Sequence, residues 1–383
     1  MRAHVLSDAR LVKQAGRFVW LSVDAEKERN AAFTERFTVS GYPTFLVVDP
    51  VTETPVLRWP GSATVKQFER ILDDARVARR AAGGAGPEAA LARADRANAE
   101  DRVEEAVAGY REALERGGPG WSRRPRAVES LVLALQGAGR DEQCAAVAGS
   151  DGAGLPRGSS FANAVATGLG CALGADDAAP WRPEALRRLE PLVREAAALP
   201  DLLADDRAAL LQTLADARQA AGDARASRAA LTRLWRFLEA EARRTPSAEL
   251  RASLDSWRVS AAIGLGRPAL AVPPLRASER ALPDDYNPPA RLALLYREEK
   301  RYPEAVAAAD RALARAYGPR KLRVYDLKAT SQERAGDRAG RERTLAEAVA
   351  FAATLPEAQA RGGVRKLVAR MQAQLDGLRG RGG

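Results

Sequence analysis

The sequence of 383 residues is poor in the side chains on which many enzymes depend. It contains one histidine, His4, and two cysteines, Cys144 and Cys171. A single histidine excludes a multi-histidine metal site and leaves a Ser-His-Asp or Cys-His hydrolase without a well-placed base. The two cysteines form neither a C-x-x-C pair nor a zinc-ligand spacing. Because their surroundings are alanine-rich, we interpret them as small buried apolar side chains, and we predict no metal site and no cofactor.

Aromatic residues are also scarce, at 5% of the chain, whereas alanine, leucine, glutamate and arginine are abundant. This composition favours helices, because such side chains lose little rotamer freedom there. No apolar run approaches the ~20 residues that a membrane-spanning helix needs. We therefore predict a mainly helical chain without a membrane span.

Lysine is rare as well, since only seven of the 60 basic residues are lysines, and the net charge is +10. The arginines alternate with acidic residues along predicted helices, as in 291–299 and 334–347. This alternation is typical of a solvated surface with many salt bridges. A nucleic-acid-binding chain usually concentrates its basic charge on one element, so we predict no nucleic-acid partner.

The first eighty residues contain a pattern of short helices and strands. Residues 18–21 are almost continuously apolar, which is typical of a central strand that is covered on both faces. The predicted order is a helix at 7–15, a strand at 17–24, a helix at 30–37, strands at 44–48 and 56–59, and a helix at 64–79. Because a helix joins the first two strands, we expect a right-handed parallel crossover.

Three short sequence motifs in this region resemble those of the thioredoxin family. They are FVWLSVD at 18–24, FTVSGYPT at 37–44 and WPG at 59–61. Residues 5–12 are similar to the second half of the active-site helix in bacterial domains of the extracytoplasmic disulfide-reductant type. The resemblance implies that Pro43 is cis and lies at the wall of an active site, with Tyr42 and Thr44 as neighbours. The alternative is an ordinary proline at the entry to a strand.

The same resemblance implies a C-x-x-C motif just before the region that begins at Met1, yet the first 143 residues contain no cysteine. Either the gene start was assigned at an internal methionine, or the domain has lost its chemistry. In the first case we expect an apolar strand and a C-x-x-C to be encoded upstream, and the intact protein to be a thiol–disulfide oxidoreductase. In either case we expect the chain as given to have no catalytic residue. Localisation stays open, with an extracytoplasmic compartment favoured and any export signal upstream.

Beyond a linker at 81–87, small residues recur at a spacing of 12 and then 7 positions, first recognised at Ala293, Ala305 and Ala312. Two antiparallel helices need small side chains where their backbones approach each other. The spacing recurs at 94, 106 and 113, and again at 329, 341 and 348, where position 341 is an arginine. Gly-Asp pairs at 222–223 and 336–337 mark turns between paired helices.

These units resemble tetratricopeptide repeats (TPRs), well over 88–116 and 287–351 and weakly between those ranges. The resemblance implies an array of helices whose groove binds a peptide or protein partner. Loops at 284–289 and 317–321 predict a ligand-contacting rim that contains Tyr286, Asn287, Tyr317, Arg320 and Lys321. The proline and glycine of these loops are equally consistent with plain turns between repeats.

The predicted fold class is therefore a multidomain α/β plus all-α chain, in which a partial thioredoxin-like βαβ sandwich precedes an α-helical TPR-like solenoid. The predicted division is a thioredoxin-like domain at 1–80, a linker at 81–87, a helical repeat domain at 88–376 and a flexible tail at 377–383. The predicted function of the intact form is thiol–disulfide exchange with a client that the repeats recruit. The alternative is a non-catalytic scaffold for protein–protein interaction.

Overall fold

The computed structural model describes residues 5–6, 8–37, 39, 42–81 and 84–380. In this part of the chain the α-helices are α1 (Ala31–Arg36), α2 (Val65–Ala81), α3 (Pro87–Ala99), α4 (Val103–Gly117), α5 (Arg124–Gly137), α6 (Asp141–Val147), α7 (Ser159–Gly174), α8 (Arg182–Ala196), α9 (Ala204–Ala220), α10 (Ala224–Arg244), α11 (Ala248–Ala252), α12 (Asp255–Gly264), α13 (Val272–Ala281), α14 (Asn287–Glu298), α15 (Tyr302–Leu313), α16 (Arg320–Ala335), α17 (Arg338–Ala352) and α18 (Gly362–Arg379). The strands are β1 (Thr44–Val48) and β2 (Pro55–Pro60). Short 3-10 helices lie at Ala9–Gln14, Glu28–Asn30, Pro268–Ala271 and Glu357–Gln359, and a π-helical turn at Ala148–Gly152.

The described residues form two compact units. The first contains those of 1–17 and 40–237, and the second those of 18–39 and 238–383. The division thus falls within α10, and residues 18–39 belong with the C-terminal helices. These units do not coincide with the predicted division after residue 80.

In the first unit, β1 and β2 form an antiparallel pair in which Phe45 lies opposite Trp59. Helix α2 packs on this pair, and the rings of Phe45 and Phe68 meet edge to face with centroids 5.0 Å apart. Trp59 is 1% exposed, and its indole N–H donates to the carbonyl of Ser62 at 3.1 Å. The predictions of strands at 44–48 and 56–59 and of a helix at 64–79 are confirmed within about two residues.

The predicted strand at 17–24 is wrong, because residues 18–24 have no regular secondary structure. A strand needs a neighbouring backbone to receive its hydrogen bonds, and among the described residues β1 and β2 pair only with each other. Val19 and Leu21, expected to be buried on a central strand, are 89% and 79% exposed. The described residues therefore contain a two-stranded hairpin in place of the predicted βαβ sandwich. The predicted helix at 30–37 is confirmed as α1, and the one at 7–15 is a 3-10 helix over Ala9–Gln14.

The predicted helix pairs are confirmed where the small-residue spacing is regular. Ala293 lies on α14, whereas Ala305 and Ala312 lie on α15, and all three are fully buried. The equivalent alanines at 94, 106 and 113 are fully buried between α3 and α4. Small side chains let these backbones approach closely, so each pair buries a narrow apolar interface.

The pair α16 and α17 follows the same plan with one substitution. Ala329 and Ala348 are buried, whereas Arg341 extends its guanidinium to Glu333 at 2.6 Å. Helix α18 covers this pair with Met371 and other apolar side chains. The alkyl part of an arginine can pack while its charged end finds a partner, which explains why the irregular position still forms a pair.

The two predicted Gly-Asp turns are also confirmed. Gly222 and Gly336 have φ values of 74° and 77°, which glycine adopts without the steric cost of a Cβ. The carboxylates of Asp223 and Asp337 each accept the backbone N–H three residues on, at 2.9 and 2.8 Å. Each aspartate thus caps the second helix of its pair.

The interpretation of the two cysteines needs correction. Cys144 of α6 and Cys171 of α7 are buried as predicted, but they are joined in a disulfide. The separation of 27 positions gave no sequence signal for this, because pairing depends on how two helices pack. Both cysteines of the sequence are used in this bond.

The linker and the C-terminal tail are shorter in the structure than predicted, because the neighbouring helices extend into them. Helix α2 ends at Ala81 and α3 begins at Pro87, while residues 82–83 of the predicted linker lie outside the described residues. The predicted tail is too long by about one turn, because α18 continues to Arg379, and 381–383 lie outside the described residues. His4 and Gly41 lie outside them as well. None of the helices described above combines the length and apolarity that crossing a bilayer requires.

Candidate peptide-binding site

In the second unit, the two loops singled out in the sequence lie side by side. Tyr286 precedes α14, and Tyr317 lies in the loop between α15 and α16. Their rings meet edge to face with centroids 6.2 Å apart. Arg320, the first residue of α16, interacts with the Tyr286 hydroxyl. Three of the five predicted rim residues are therefore brought together.

The other two predicted rim residues have different roles. The side-chain amide of Asn287 donates to the carboxylate of Asp285 at 2.7 Å, and its backbone N–H donates to the same oxygen at 2.8 Å. This is turn chemistry, which was the alternative explanation. The ammonium of Lys321 lies 5.1 Å from the ring centroid of Phe351 on α17, in a cation–π contact.

The loops hold an acidic turn of the same unit, Asp24–Lys27, in which the Lys27 N–H donates to the Asp24 carbonyl at 3.2 Å. We call this turn the Asp24 segment. The Tyr317 hydroxyl donates to Asp24 Oδ2 at 2.7 Å. The Arg320 guanidinium pairs with the Glu26 carboxylate. We call the receiving surface the Tyr317 rim, and define it as Tyr286, Tyr317, Gly318, Arg320 and Gln359.

Two further contacts fix the backbone of the Asp24 segment. The side-chain amide of Gln359 donates to the carbonyl of Ala25 at 3.3 Å. Gly318 has φ of 59°, and a Cβ there would lie 2.4 Å from the Glu26 carbonyl oxygen. Only glycine permits this approach. The rim thus recognises the main chain as well as both acidic side chains.

The electrostatics of the site depend on burial and on opposite charge. Burial raises the pKa of the Glu26 carboxyl, and Arg320 offsets part of that effect. The hydrogen bond to Asp24 raises the pKa of Tyr317 to about 12, with a smaller contribution from burial. The phenol therefore stays protonated at neutral pH and acts as a donor. Such a site suits a carboxylate that arrives with its charge intact.

The residues predicted to form an active-site wall lie in the first unit. The Tyr42–Pro43 peptide bond is cis, as the thioredoxin resemblance implied. Thr44 begins β1, and the Pro43 carbonyl accepts the backbone N–H of Gly61 at 2.8 Å. Tyr42 is 58% exposed. No thiol can act there, because both cysteines of the chain are in the disulfide.

A second polar cluster lies inside the first unit, around the side chain of Glu129 on α5. Glu129 is 1% exposed and accepts hydrogen bonds from Asn163 at 2.7 Å and from Gln67 at 3.3 Å. Burial raises the pKa of Glu129 to about 7, and the Asp206 carboxyl adds to this rise. Burial likewise raises the pKa of Asp206 to about 6, while a hydrogen bond from Ser62 limits the rise. The cluster ties α2, α5 and α7 together through a carboxyl that carries a proton near neutral pH.

Sequence reasoning missed the Asp24 segment and Gln359. The only available signal was two acidic residues close together in an arginine-rich chain, and the predicted strand at 17–24 had assigned Asp24 to a strand end. Within the described residues there is no group of three or more His, Cys, Asp or Glu side chains that could hold a metal ion. The rim presents a phenol, a guanidinium and a side-chain amide to two carboxylates and a backbone carbonyl of the Asp24 segment.

No family model matches the chain, and no curated protein matches it. Among solved structures it is similar to a tetratricopeptide repeat protein from Parabacteroides merdae, with 9% identity and a TM-score of 0.47 over 75% of this chain and 98% of that one. It is also similar to the TPR2AB domain of yeast Sti1 in a complex with pHSP90, with 14% identity and a TM-score of 0.28 over 75% and 98%.

A third similar structure is an assembly chaperone of RpL4, with 13% identity and a TM-score of 0.37 over 78% of this chain and 100% of that one. These similarities are distant. The contacts within this chain define helix pairs, with buried small residues between paired helices and a loop surface that holds an acidic turn.

Proposed function

We propose that this chain is a non-catalytic scaffold that binds peptide segments of partner proteins on its TPR-like helix pairs. The observation that carries the proposal is the occupied Tyr317 rim, where aromatic, cationic and amide groups bind an acidic turn of the same unit through its side chains and backbone. Repeat arrays commonly use loop and groove surfaces in this way.

The thioredoxin-like redox function is the less supported candidate. Thiol–disulfide exchange starts from a thiolate, and neither cysteine of this chain is a free thiol. The cis-proline corner and the hairpin that follows it support a structural role for this part of the first unit. The disulfide itself supports an extracytoplasmic location, because such bonds persist in oxidising compartments.

Selection from a library of random displayed peptides tests the scaffold function. The bait is the full chain, used both unchanged and as the Asp24→Ala/Glu26→Ala variant, in which the rim residues are intact and the segment's carboxylates are removed. We expect peptides to be enriched and then to bind the purified chain saturably in solution. If neither bait enriches a peptide that binds saturably, the scaffold function is wrong.

A further inference from the structure

The Asp24 segment occupies the Tyr317 rim in the manner of a bound peptide. The Asp24 segment is a hydrogen-bonded turn, and its contacts with the rim come from the carboxylates of Asp24 and Glu26, the Ala25 carbonyl and the Lys27 ammonium, which lies 5.8 Å from the Tyr317 ring centroid. All of these groups belong to four consecutive residues. A peptide from another protein can supply the same groups.

The spacing of the acidic side chains matches the rim. Asp24 and Glu26 are two positions apart, and the turn that contains them directs both carboxylates to the rim. One faces the phenol of Tyr317 and the other the guanidinium of Arg320. Arg323 on the same helix adds a further positive charge that acts on Glu26.

The residues before the Asp24 segment contribute little to this binding. Val19 and Leu21 are exposed, so apolar burial does not anchor them to the helices. Recognition therefore depends on the carboxylates and the main chain. Steering by opposite charge then sets which peptides bind.

We infer that the Asp24 segment is an internal occupant of the Tyr317 rim, and that an acidic Asp-x-Glu segment of a partner protein replaces it. This inference rests on the proposed scaffold function and names the partner chemistry of that function. An internal segment competes at a high effective concentration, so the free rim becomes available when the segment is released. The partner is a protein with an exposed acidic turn of the form Asp-x-Glu.

The experiment uses a fluorescein-labelled peptide of residues 22–30 and fluorescence anisotropy with the full chain. We expect the Asp24→Ala/Glu26→Ala chain to bind this peptide at least about tenfold more tightly than the unchanged chain, because the internal competitor is weakened. Adding Arg320→Gln to that variant should remove most of the gain in affinity for the peptide. Adding Lys321→Gln is the matched control and should leave affinity unchanged, because Lys321 contacts Phe351 instead of the segment.

A second measurement compares two peptides on a single chain, so that differences in folding between variants do not affect the result. A peptide of residues 22–30 with alanine in place of both acidic residues is tested on the same Asp24→Ala/Glu26→Ala chain. We expect it to bind at least about tenfold more weakly than the acidic peptide, since both charge-assisted contacts are missing. Equal binding of the two peptides would overturn the inference, as would equal affinity of the unchanged and the variant chains.

The outcomes also separate this inference from the scaffold function. Library peptides that bind the chain but do not compete with the 22–30 peptide would overturn the inference and leave the scaffold function standing. Absence of all peptide binding would overturn both. Competition by acidic library peptides, with loss on Arg320→Gln, would support both.

Discussion

The side-chain amide of Asn163 on α7 donates a 2.7 Å hydrogen bond to the buried carboxyl of Glu129 on α5. The same carboxyl accepts from Gln67 on α2, so one titratable group joins three helices of the first unit. Because its pKa is far above that of an exposed glutamate, this contact makes stability depend on pH.

The pH dependence has a defined sign. In the folded chain the pKa of Glu129 is raised from 4.5 to about 7 and that of Asp206 from 3.8 to about 6. At pH values between the unfolded and the folded pKa of each group, the folded chain binds more protons than the unfolded chain. The free energy of unfolding therefore decreases as pH rises through this range. Glu129→Gln should flatten this dependence and stabilise the chain at pH 8 by on the order of 2 kcal/mol. Urea unfolding at several pH values, followed by fluorescence, measures the change.

Exposed Glu115 on α4 supplies the control for this experiment. Glu115→Gln removes the same charge without removing a buried carboxyl, and it should leave the pH profile unchanged. If the free energy of unfolding of the Glu129→Gln variant depended on pH as steeply as that of the unchanged chain, the raised pKa of Glu129 would be contradicted.

Two glycines on α7 make a matched pair for packing. A Cβ at Gly168 would lie 2.1 Å from the Cβ of Ala148, whereas one at Gly170 would have nothing within 4 Å. Gly168→Ala should therefore destabilise the chain by about 1–3 kcal/mol through overpacking. Gly170→Ala should stabilise it by up to about 1 kcal/mol, because alanine is the better helix former. Urea midpoints of the two variants should move in opposite directions, and a shift in the same direction would refute the described contact.

A buried arginine holds two carboxylates in the first unit. The Arg126 guanidinium lies 2.9 Å from Asp95 and 3.3 Å from Asp74, and its side chain is 7% exposed. Arg126→Met leaves both carboxylates without this partner, and we expect a loss of about 3–5 kcal/mol. The control is Arg93→Met, which breaks an exposed pair with Glu112 and should cost less than about 1 kcal/mol. Equal losses in the two variants would argue against a buried charge network.

The disulfide gives a prediction that mass spectrometry checks directly. The unreduced, denatured chain should take up no thiol-alkylating reagent, and the reduced chain should take up two equivalents. The bond closes a loop between residues 27 positions apart. Cys144→Ala/Cys171→Ala should therefore lower the free energy of unfolding by about 3 kcal/mol. Alkylation of the unreduced chain would show that the bond is not formed.

Redox activity provides a separate test of the thioredoxin resemblance. In an insulin-reduction assay the chain should not exceed the rate of dithiothreitol alone, because neither cysteine is a free thiol. The double cysteine variant should give the same baseline. A rate that exceeds the baseline and is lost in that variant would restore the redox function that we set aside.

Prediction from sequence succeeded where the signal was local. The spacing of Ala293, Ala305 and Ala312 identified a helix pair correctly, because it reports which positions share a helix face. The cis form of the Tyr42–Pro43 bond followed from a motif of a few residues. The Gly-Asp turns were equally readable, since positive φ and N-terminal capping are properties of single residues.

Prediction failed where a long-range partner decided the outcome. Residues 18–24 have the composition of a central strand, yet they have no regular structure, and among the described residues β1 and β2 pair only with each other. The structure brings Tyr286, Tyr317 and Arg320 together, whereas Asn287 bonds to Asp285 and Lys321 lies over the ring of Phe351. Helical periodicity could not separate the three residues that meet from the two that do not, because all five lie in polar loops or in the first turn of a helix.

By itself, the sequence determined a mainly helical chain, the close pairing of its regular helix pairs and the positions of the turns between them. These features depend on residues near each other in the chain. Only the tertiary structure decided that Cys144 meets Cys171 and that Asp24 meets Tyr317, 293 residues later. An arginine-rich chain offers many partners for any acidic residue, and composition does not choose among them. Tertiary packing selects the partners, because it brings one phenol and one guanidinium to the spacing of two carboxylates on one short turn.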